Sequence, residues 1–469
     1  MGAVNDLMVT VEASTLIFSD QEIHEIKSMF LSNLDQVVNF DVQTVTFFAA
    51  NPDFPPEVAF KKIRNALQKL LTAYEFLSGR IKTHPDTGRF EFDCNNAGFG
   101  FVVARSERTL DELGDLVYPN PAFEQLFTLR LDNLSPSSHP LCIFQMTSFK
   151  CGGFAMGIQR NHAMFDGISA LVFAQNLAAL AGDKELVVRP CNDRKLLAAR
   201  SPLLVSFPHH ECLKLNILQS PEAADNVDHN VLGNSSLDLS FKIFHLSPDG
   251  VLNLKAKASS GPSSRIGHIT SFNVVSAHIW RCRALCCDLG NNLERDSTLL
   301  YPVNFRQRLN PPLPLGYTGN AVLSAYARAK CRDIAEAPLS RLVDIVAEGV
   351  ARMTDEYVRS AIDHGETNKM FPIGDFMISS WWKLGFNEVE YPWGKPIYRC
   401  PLISKRKDII LLLPDIASFA PGGNGGGGVN VWVSLPHQDM NKFESLFYKH
   451  LSLKAVDACF QVFKRFRVL

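Results

Sequence analysis

Apolar residues recur along this chain with two different periods, and the changes of period mark out its elements. Residues 37–48 alternate as a strand, whereas 55–80 carry Ile63, Leu67, Leu70, Leu71 and Tyr74 at spacings of three and four, predicting a helix with Pro56 in its first turn. Two neighbouring strands are predicted over 141–148 and 153–159. A helix follows over 167–181, with Ile168, Leu171, Val172, Gln175 and Leu180 in step and Gly182 as the stop. Over 187–232 no period is sustained, and Pro190, Pro202, Pro208 and Pro221 interrupt the segment, which reads as a crossover. The pattern restarts with a strand over 240–245, a helix over 248–258 and a longer helix over 269–287 that contains Trp280. Strand and helix alternate in both halves, so the expected class is α/β in two domains, 1–200 and 233–469, with 201–232 as linker.

Composition narrows the function classes. The 469 residues are 46% hydrophobic and 20% charged, an ordinary globular balance. Lys and Arg total 47 against 48 Asp and Glu, so the net charge of -1 supplies no field to hold nucleic acid or an anionic membrane. Eleven cysteines without a Cys-x-x-Cys pair predict reduced thiols and a cytoplasmic protein. No apolar run approaches the roughly 18 residues that span a bilayer, and the N-terminus lacks a signal-peptide pattern.

Familiar catalytic strings are missing or fail in context. Gly423-x-Gly425-x-x-Gly428 imitates a dinucleotide fingerprint, but Val429, Val431 and Val433 alternate after it as a strand, where that fingerprint needs a helix N-terminus. The glycine run reads instead as a hairpin loop. No phosphate-binding P-loop, zinc-protease His-Glu-x-x-His or serine-hydrolase elbow occurs, and no metal site is expected.

His162-Ala-Met-Phe-Asp166-Gly167 places an imidazole between a strand end and a helix start. A histidine there can accept a proton near neutral pH, which is the chemistry of a general base. Spacing alone is weak support. With 13 His and 28 Asp in 469 residues, about one His-x-x-x-Asp is expected by accident, and the chain has two. The second, His245 to Asp249, is explained by Ser247 and Pro248 opening the next helix.

Further segments raise the weight of His162. They are Ser32-Asn-Leu-Asp35, Leu77-Ser-Gly-Arg80, Ala277-His-Ile-Trp-Arg-Cys282, Asn304-Phe-Arg306-Gln-Arg308, Gly316-Tyr-Thr-Gly-Asn320, Glu390-Tyr-Pro-Trp393-Gly394-Lys-Pro396 and Val431-Trp-Val-Ser-Leu-Pro436. Taken in order with the His162 motif, they resemble the BAHD family of plant acyl-CoA-dependent acyltransferases across nearly the whole chain. The resemblance implies two chloramphenicol-acetyltransferase-like domains with mixed sheets and an active-site channel between them. It also implies direct acyl transfer from acyl-CoA to a small alcohol or amine of plant specialised or surface-lipid metabolism, by a monomer. In that reading His162 is the base, Asp166 orients it by pairing with Arg306 or Arg308, and Trp393 donates to the oxyanion. Ser379, Ser380, Lys383, Lys257, Ser264 and Arg265 would meet CoA. Glu390-Tyr391-Pro392 stands where the family has Asp-Phe-Gly; Glu390 would keep that aspartate's arginine pair and Gly394 would shape the loop. Thr318 likewise replaces the family's usual Phe. The altered motif supports a second reading, a non-catalytic relative that assists fatty-acyl elongation.

Overall fold

A computed structural model describes residues 4–20, 27–117, 120–132, 134–214, 239–260, 269–287, 292–368, 370–402, 406–415 and 428–451. In chain order the first half runs β1 (Val9–Ile17), β2 (Lys27–Phe30), α1 (Asn33–Gln36), β3 (Asp41–Phe48), α2 (Pro56–Ala73), β4 (Arg80–Thr83), β5 (Phe90–Cys94), β6 (Phe99–Ser106), β7 (Cys142–Ser148), β8 (Phe154–Asn161) and α3 (Gly167–Ala181). The chain continues through β9 (Cys212–Lys214), β10 (Leu239–Leu246), α4 (Pro248–Ser259), α5 (Ser271–Cys286), β11 (Asp296–Asn304), β12 (Val322–Lys330), α6 (Cys331–Glu336), α7 (Leu339–Ala351) and α8 (Asp355–Thr367). It closes with β13 (Met370–Pro372), β14 (Phe376–Ser380), β15 (Tyr398–Leu402), β16 (Ile409–Pro414), β17 (Val429–Pro436) and α9 (His437–Leu451).

Two six-stranded sheets form the framework, in the orders β1-β6-β7-β8-β3-β15 and β10-β17-β16-β14-β11-β12. Both are mixed: β6 and β7 run parallel in the first, as does β14 with β11 and β16 in the second. α2 and α3 cover the first sheet, burying Ile63, Leu67, Leu70, Phe173 and Leu177 against Phe144, Met156 and Ile158. α4, α5, α7 and α9 pack on the second sheet around the fully buried Trp280, whose indole N–H donates to Ser297 Oγ at 3.1 Å. This is the expected α/β class with two layered units.

Several boundaries differ from the sequence pattern for identifiable reasons. The helix expected to reach residue 80 stops at Ala73. Tyr74 leaves helical geometry at φ -115 and ψ 58, its ring is buried, and its hydroxyl accepts from Asn176 at 2.9 Å. A 3-10 turn and β4 take up the rest. The strand expected from residue 37 begins at Asp41, because Ser32 and Asp35 form a capping box that starts α1 instead. By contrast α3 matches its expected span; Asp166 caps it and Gly182 follows it. The Ser247 cap of α4 is likewise present, accepting from Gly250 N–H at 3.1 Å. The Gly-rich loop lies outside the described residues up to Gly428, but the strands flanking it, β16 and β17, do pair antiparallel. Most of the expected linker, from residue 215, also lies outside them.

The clean division at residue 233 needs correction. β15 belongs to the second half of the chain yet pairs with β3, Tyr398 opposite Phe47 and Arg399 opposite Thr46, and so completes the first sheet. Phe386, Tyr391 and Trp393, just before it, sit in the first unit's core. In the other direction Leu34 of α1 joins the second core. Each half therefore lends the other a segment.

Candidate active site

His162 opens a 3-10 turn, His162–Met164, where β8 ends, and Asp166 caps α3 four residues later. Four parts of the chain hold that turn. The His162 N–H donates to Phe40 O at 2.8 Å, and Asn161 Oδ1 accepts from Ala163 N–H at 3.0 Å. Arg194, fully buried in the crossover, donates from Nη1 to Ala163 O at 3.0 Å and from Nη2 to Met164 O at 2.8 Å. Asn320 Nδ2 reaches His162 O at 3.1 Å. Arg194 and Asn320 are tied together by Asp35, whose Oδ1 lies 3.0 Å from Arg194 Nη1 and 2.8 Å from Asn320 Nδ2. Asp35 and Asn320 fell within segments the sequence had flagged. Arg194 did not, because nothing local distinguishes it in a stretch without periodicity.

The imidazole keeps some contact with solvent, but its Nδ1 is buried and unpartnered, as is Asn320 Oδ1. Burial first, then the nearby Arg160 charge, pushes the His162 pKa down to about 4; its own backbone, Asp166 and Asn320 act weakly in the other direction. The ring is therefore neutral and able to accept a proton throughout the physiological range.

Asp166 does not face that proton. Its carboxylate takes a two-pronged grip from Arg306, Nη1 to Oδ2 at 2.7 Å and Nη2 to Oδ1 at 3.0 Å, and accepts from Ser169 N–H, Ser169 Oγ and Ala321 N–H. Burial alone would raise its pKa, yet the Arg306 guanidinium and these donors hold it below the ordinary carboxylate value. Of the two arginines considered, the partner is Arg306. Arg308 is exposed and donates instead to Val350 O and Met353 O.

Trp393 requires a second correction. Its ring packs 5.8 Å from Phe154 and 5.9 Å from Phe48, at the opposite end of β8 from Asn161. Seven strand residues separate those ends, roughly 23 Å at 3.3 Å per residue, so the indole cannot donate to an oxyanion formed beside His162. The loop that carries it is nevertheless well built. Gly394 N–H closes a turn onto Tyr391 O at 2.9 Å, with Pro392 at the position where a fixed φ suits such a turn and Gly394 at φ 115, a backbone state open to glycine. The Pro392 substitution is thus accommodated. Glu390 is exposed and has no ion pair among the described residues, so the expected arginine partner is missing there.

Of the residues expected to meet CoA, Ser379 and Ser380 end β14, and Lys383 stands exposed over the Trp382 ring at 5.0 Å. The loop after them abuts the first turn of α3, where Leu384 lies 3.1 Å from the position a Cβ on Gly167 would take. That contact brings Leu384, the residue after Lys383, against the helix that follows the His162 motif. Lys257 is placed elsewhere: its ammonium group donates to His450 O and Leu451 O at the end of α9, a favourable place for a cation. Ser264 and Arg265 lie outside the described residues.

Comparison with known proteins agrees with this geometry. A family model described as Transferase family matches residues 7–450. The chain is 53% identical over 448 residues to Acyltransferase GLAUCE of Arabidopsis thaliana, covering 95% of this chain and 96% of that one. It is 32% identical to Omega-hydroxypalmitate O-feruloyl transferase, also of Arabidopsis thaliana, covering 89% of this chain and 88% of that one. Among solved structures, F. graminearum TRI101 complexed with Coenzyme A and Deoxynivalenol superposes with a TM-score of 0.71 at 17% identity, covering 89% of this chain and 97% of that one, a likeness of fold. With its two mixed sheets, a neutral histidine at a strand end and an aspartate turned away into an arginine pair, this chain belongs to that transferase family, the BAHD acyl-CoA-dependent acyltransferases.

Proposed function

We propose that His162 is the general base of this acyltransferase and that the acyl group passes directly from the CoA thioester to the acceptor without an acyl-enzyme. The observation that carries the reading is the neutral imidazole on a turn clamped by Arg194, Asn320 and Asp35. His162 takes the proton from the acceptor's hydroxyl or amine as that atom attacks the thioester carbonyl. The tetrahedral intermediate then collapses, the carbon–sulfur bond breaks, and the imidazolium returns its proton to the departing CoA thiolate. Asp166 and Arg306 hold the geometry, while Ser379, Ser380 and Lys383 line the approach to CoA. The acceptor class is an alcohol or amine of plant specialised or surface-lipid metabolism. An O-feruloyl transferase named for omega-hydroxypalmitate among the relatives supports a hydroxyl on an aliphatic chain. We also read the protein as a cytoplasmic monomer. The free thiols of the described cysteines support a reducing compartment, and no helix among the described residues is long and apolar enough to cross a membrane.

Release of free CoA thiol from aromatic and aliphatic acyl-CoAs mixed with long-chain alcohols or polyamines tests the assignment. Turnover with at least one pair is expected, and none with any pair would count against it. The pH dependence is a sharper check. A base is lost when it is protonated, so kcat/KM falls as pH drops through the free enzyme's pKa. With His162 depressed to about 4, activity should persist at pH 5.5; an acidic limb near the ordinary histidine value of about 6.5 that disappears in His162→Ala would show that the base titrates undepressed, and one that survives in that variant would show that another group governs the rate.

A further inference from the structure

The C-terminal end of α5 gathers sulfur. Cys282 and Cys286 are buried on it, Cys287 follows as its cap and is partly exposed, and the buried Cys331 at the start of α6 lies alongside, its Sγ 4.0 Å from Ala284 O. One turn before Cys287, the Arg283 guanidinium donates from Nη1 to the Cys287 sulfur; it stands over the Phe376 ring at 5.7 Å, and its buried Nε has no hydrogen-bond partner. Cys286 Sγ lies 3.9 Å from Cys287 Sγ and 3.3 Å from Arg283 O. Its S–H can reach either, and a charged sulfur is the stronger acceptor. A thiol and a guanidinium thus face the same half-buried sulfur.

These donors make Cys287 acidic. The Cys286 thiol and then the Arg283 charge favour its thiolate against burial, the Asp439 carboxylate of α9 and the negative end of the α5 dipole, and its pKa falls to about 7. Arg295, also nearby, is held by Asp375 at 2.7 Å. Elsewhere burial pushes the thiols of Cys94, Cys212 and Cys400 up to about 12. Against an ordinary thiol of pKa about 8.5, one near 7 carries roughly 15-fold more thiolate at pH 7, offset about fivefold by its weaker nucleophilicity, a net gain of about threefold.

We propose that Cys287, with Arg283 and Cys286 as its activating neighbours, is a redox-modification site that hydrogen peroxide oxidises and glutathione then caps. The Cys287 thiolate attacks one peroxide oxygen, the O–O bond breaks, sulfur loses two electrons to become the sulfenic acid, and the departing hydroxide takes up a proton as water. The glutathione thiolate then attacks that sulfur, its S–O bond breaks, and the oxygen leaves as a second water, giving a mixed disulfide. The capping thiol is external because Cys286 is the wrong partner: sequence neighbours stand about 3.8 Å apart at Cα, inside the roughly 4.4–6.8 Å of an ordinary disulfide.

The whole reduced protein is treated at pH 7 with hydrogen peroxide and glutathione, and separately with limiting iodoacetamide across a pH series, and the adducts are located by peptide mass spectrometry. The exposed Cys151 is the control for accessibility alone. Cys287 is expected to gain glutathione at least about threefold faster than Cys151, and its alkylation rate should rise through a midpoint near pH 7. Arg283→Gln should erase the preference and raise the midpoint. Cys286→Ala, a small change that leaves the guanidinium in place, should raise the midpoint part of the way and serves if the arginine variant does not fold. Modification of Cys151 as fast as Cys287 in wild type, a Cys287 midpoint at the ordinary thiol value of about 8.5, or an internal disulfide in place of the adduct would each overturn the proposal.

Discussion

His162→Ala is expected to lower kcat by about 100- to 10,000-fold, the usual worth of a positioned general base, while the protein stays folded. The change removes the ring's tilted contact with Phe40, 5.4 Å between centroids, from a side chain that retains some solvent contact. The turn would persist without it, because every bond that fixes residues 162–164 from Phe40, Asn161, Arg194 and Asn320 involves a backbone group of the turn. KM for both substrates should therefore change much less than kcat. The measurement is steady-state thiol release by wild type and variant, with circular dichroism to show that the fold is kept. A variant that keeps wild-type kcat would remove His162 from the mechanism and revive the non-catalytic reading suggested by the altered Trp393 loop.

The second large effect concerns stability. Asp166→Ala strips Arg306 of its counter-charge in a site where neither side chain exceeds 5% exposure, and breaking such a buried pair from one side costs about 3–5 kcal/mol. The same change removes the N-cap of α3, about 1 kcal/mol by itself, though the two losses share one carboxylate and will not add in full. Denaturant unfolding should show a lower midpoint with little change in slope for the transition that includes α3. The cause can be isolated by also replacing Arg306 with Met, which leaves no orphaned charge. The double variant should be more stable than Asp166→Ala alone, and equal or lower stability would mean that the ion pair is not what the carboxylate provides.

Local features of this chain could be read from its sequence because they depend on neighbours. The Asp166 cap and the Gly182 stop bound α3, and Ser247 opens α4; each is settled within four residues. The His162 motif and Arg306 were legible as strings, and the structure chose Arg306 over Arg308 by reach and burial. What stayed hidden depends on residues far apart in the chain. Asn320 bonds to Asp35 across 285 positions, Arg194 crosses about 30 to reach the His162 turn, and Arg399 opposes Thr46 on a strand from the other half. Trp393 shows the reverse hazard. Belonging to a motif associated with the site says nothing about which end of a strand it packs against, and its neighbours Phe48 and Phe154 put it at the far one.

The exchange of segments also bears on how the protein is made. As the chain leaves the ribosome, β3 pairs with β8 soon after residue 161, but its other edge waits for β15, which ends at residue 402 of 469. For most of synthesis the nascent first unit therefore presents an open strand edge carrying Val45 and Phe47, with Trp393 and Tyr391 not yet in its core. An uncovered apolar edge of this kind is a template for pairing with another chain. A product truncated anywhere between the crossover and residue 398 would keep that edge permanently, so premature termination yields an aggregation-prone fragment rather than a working first domain.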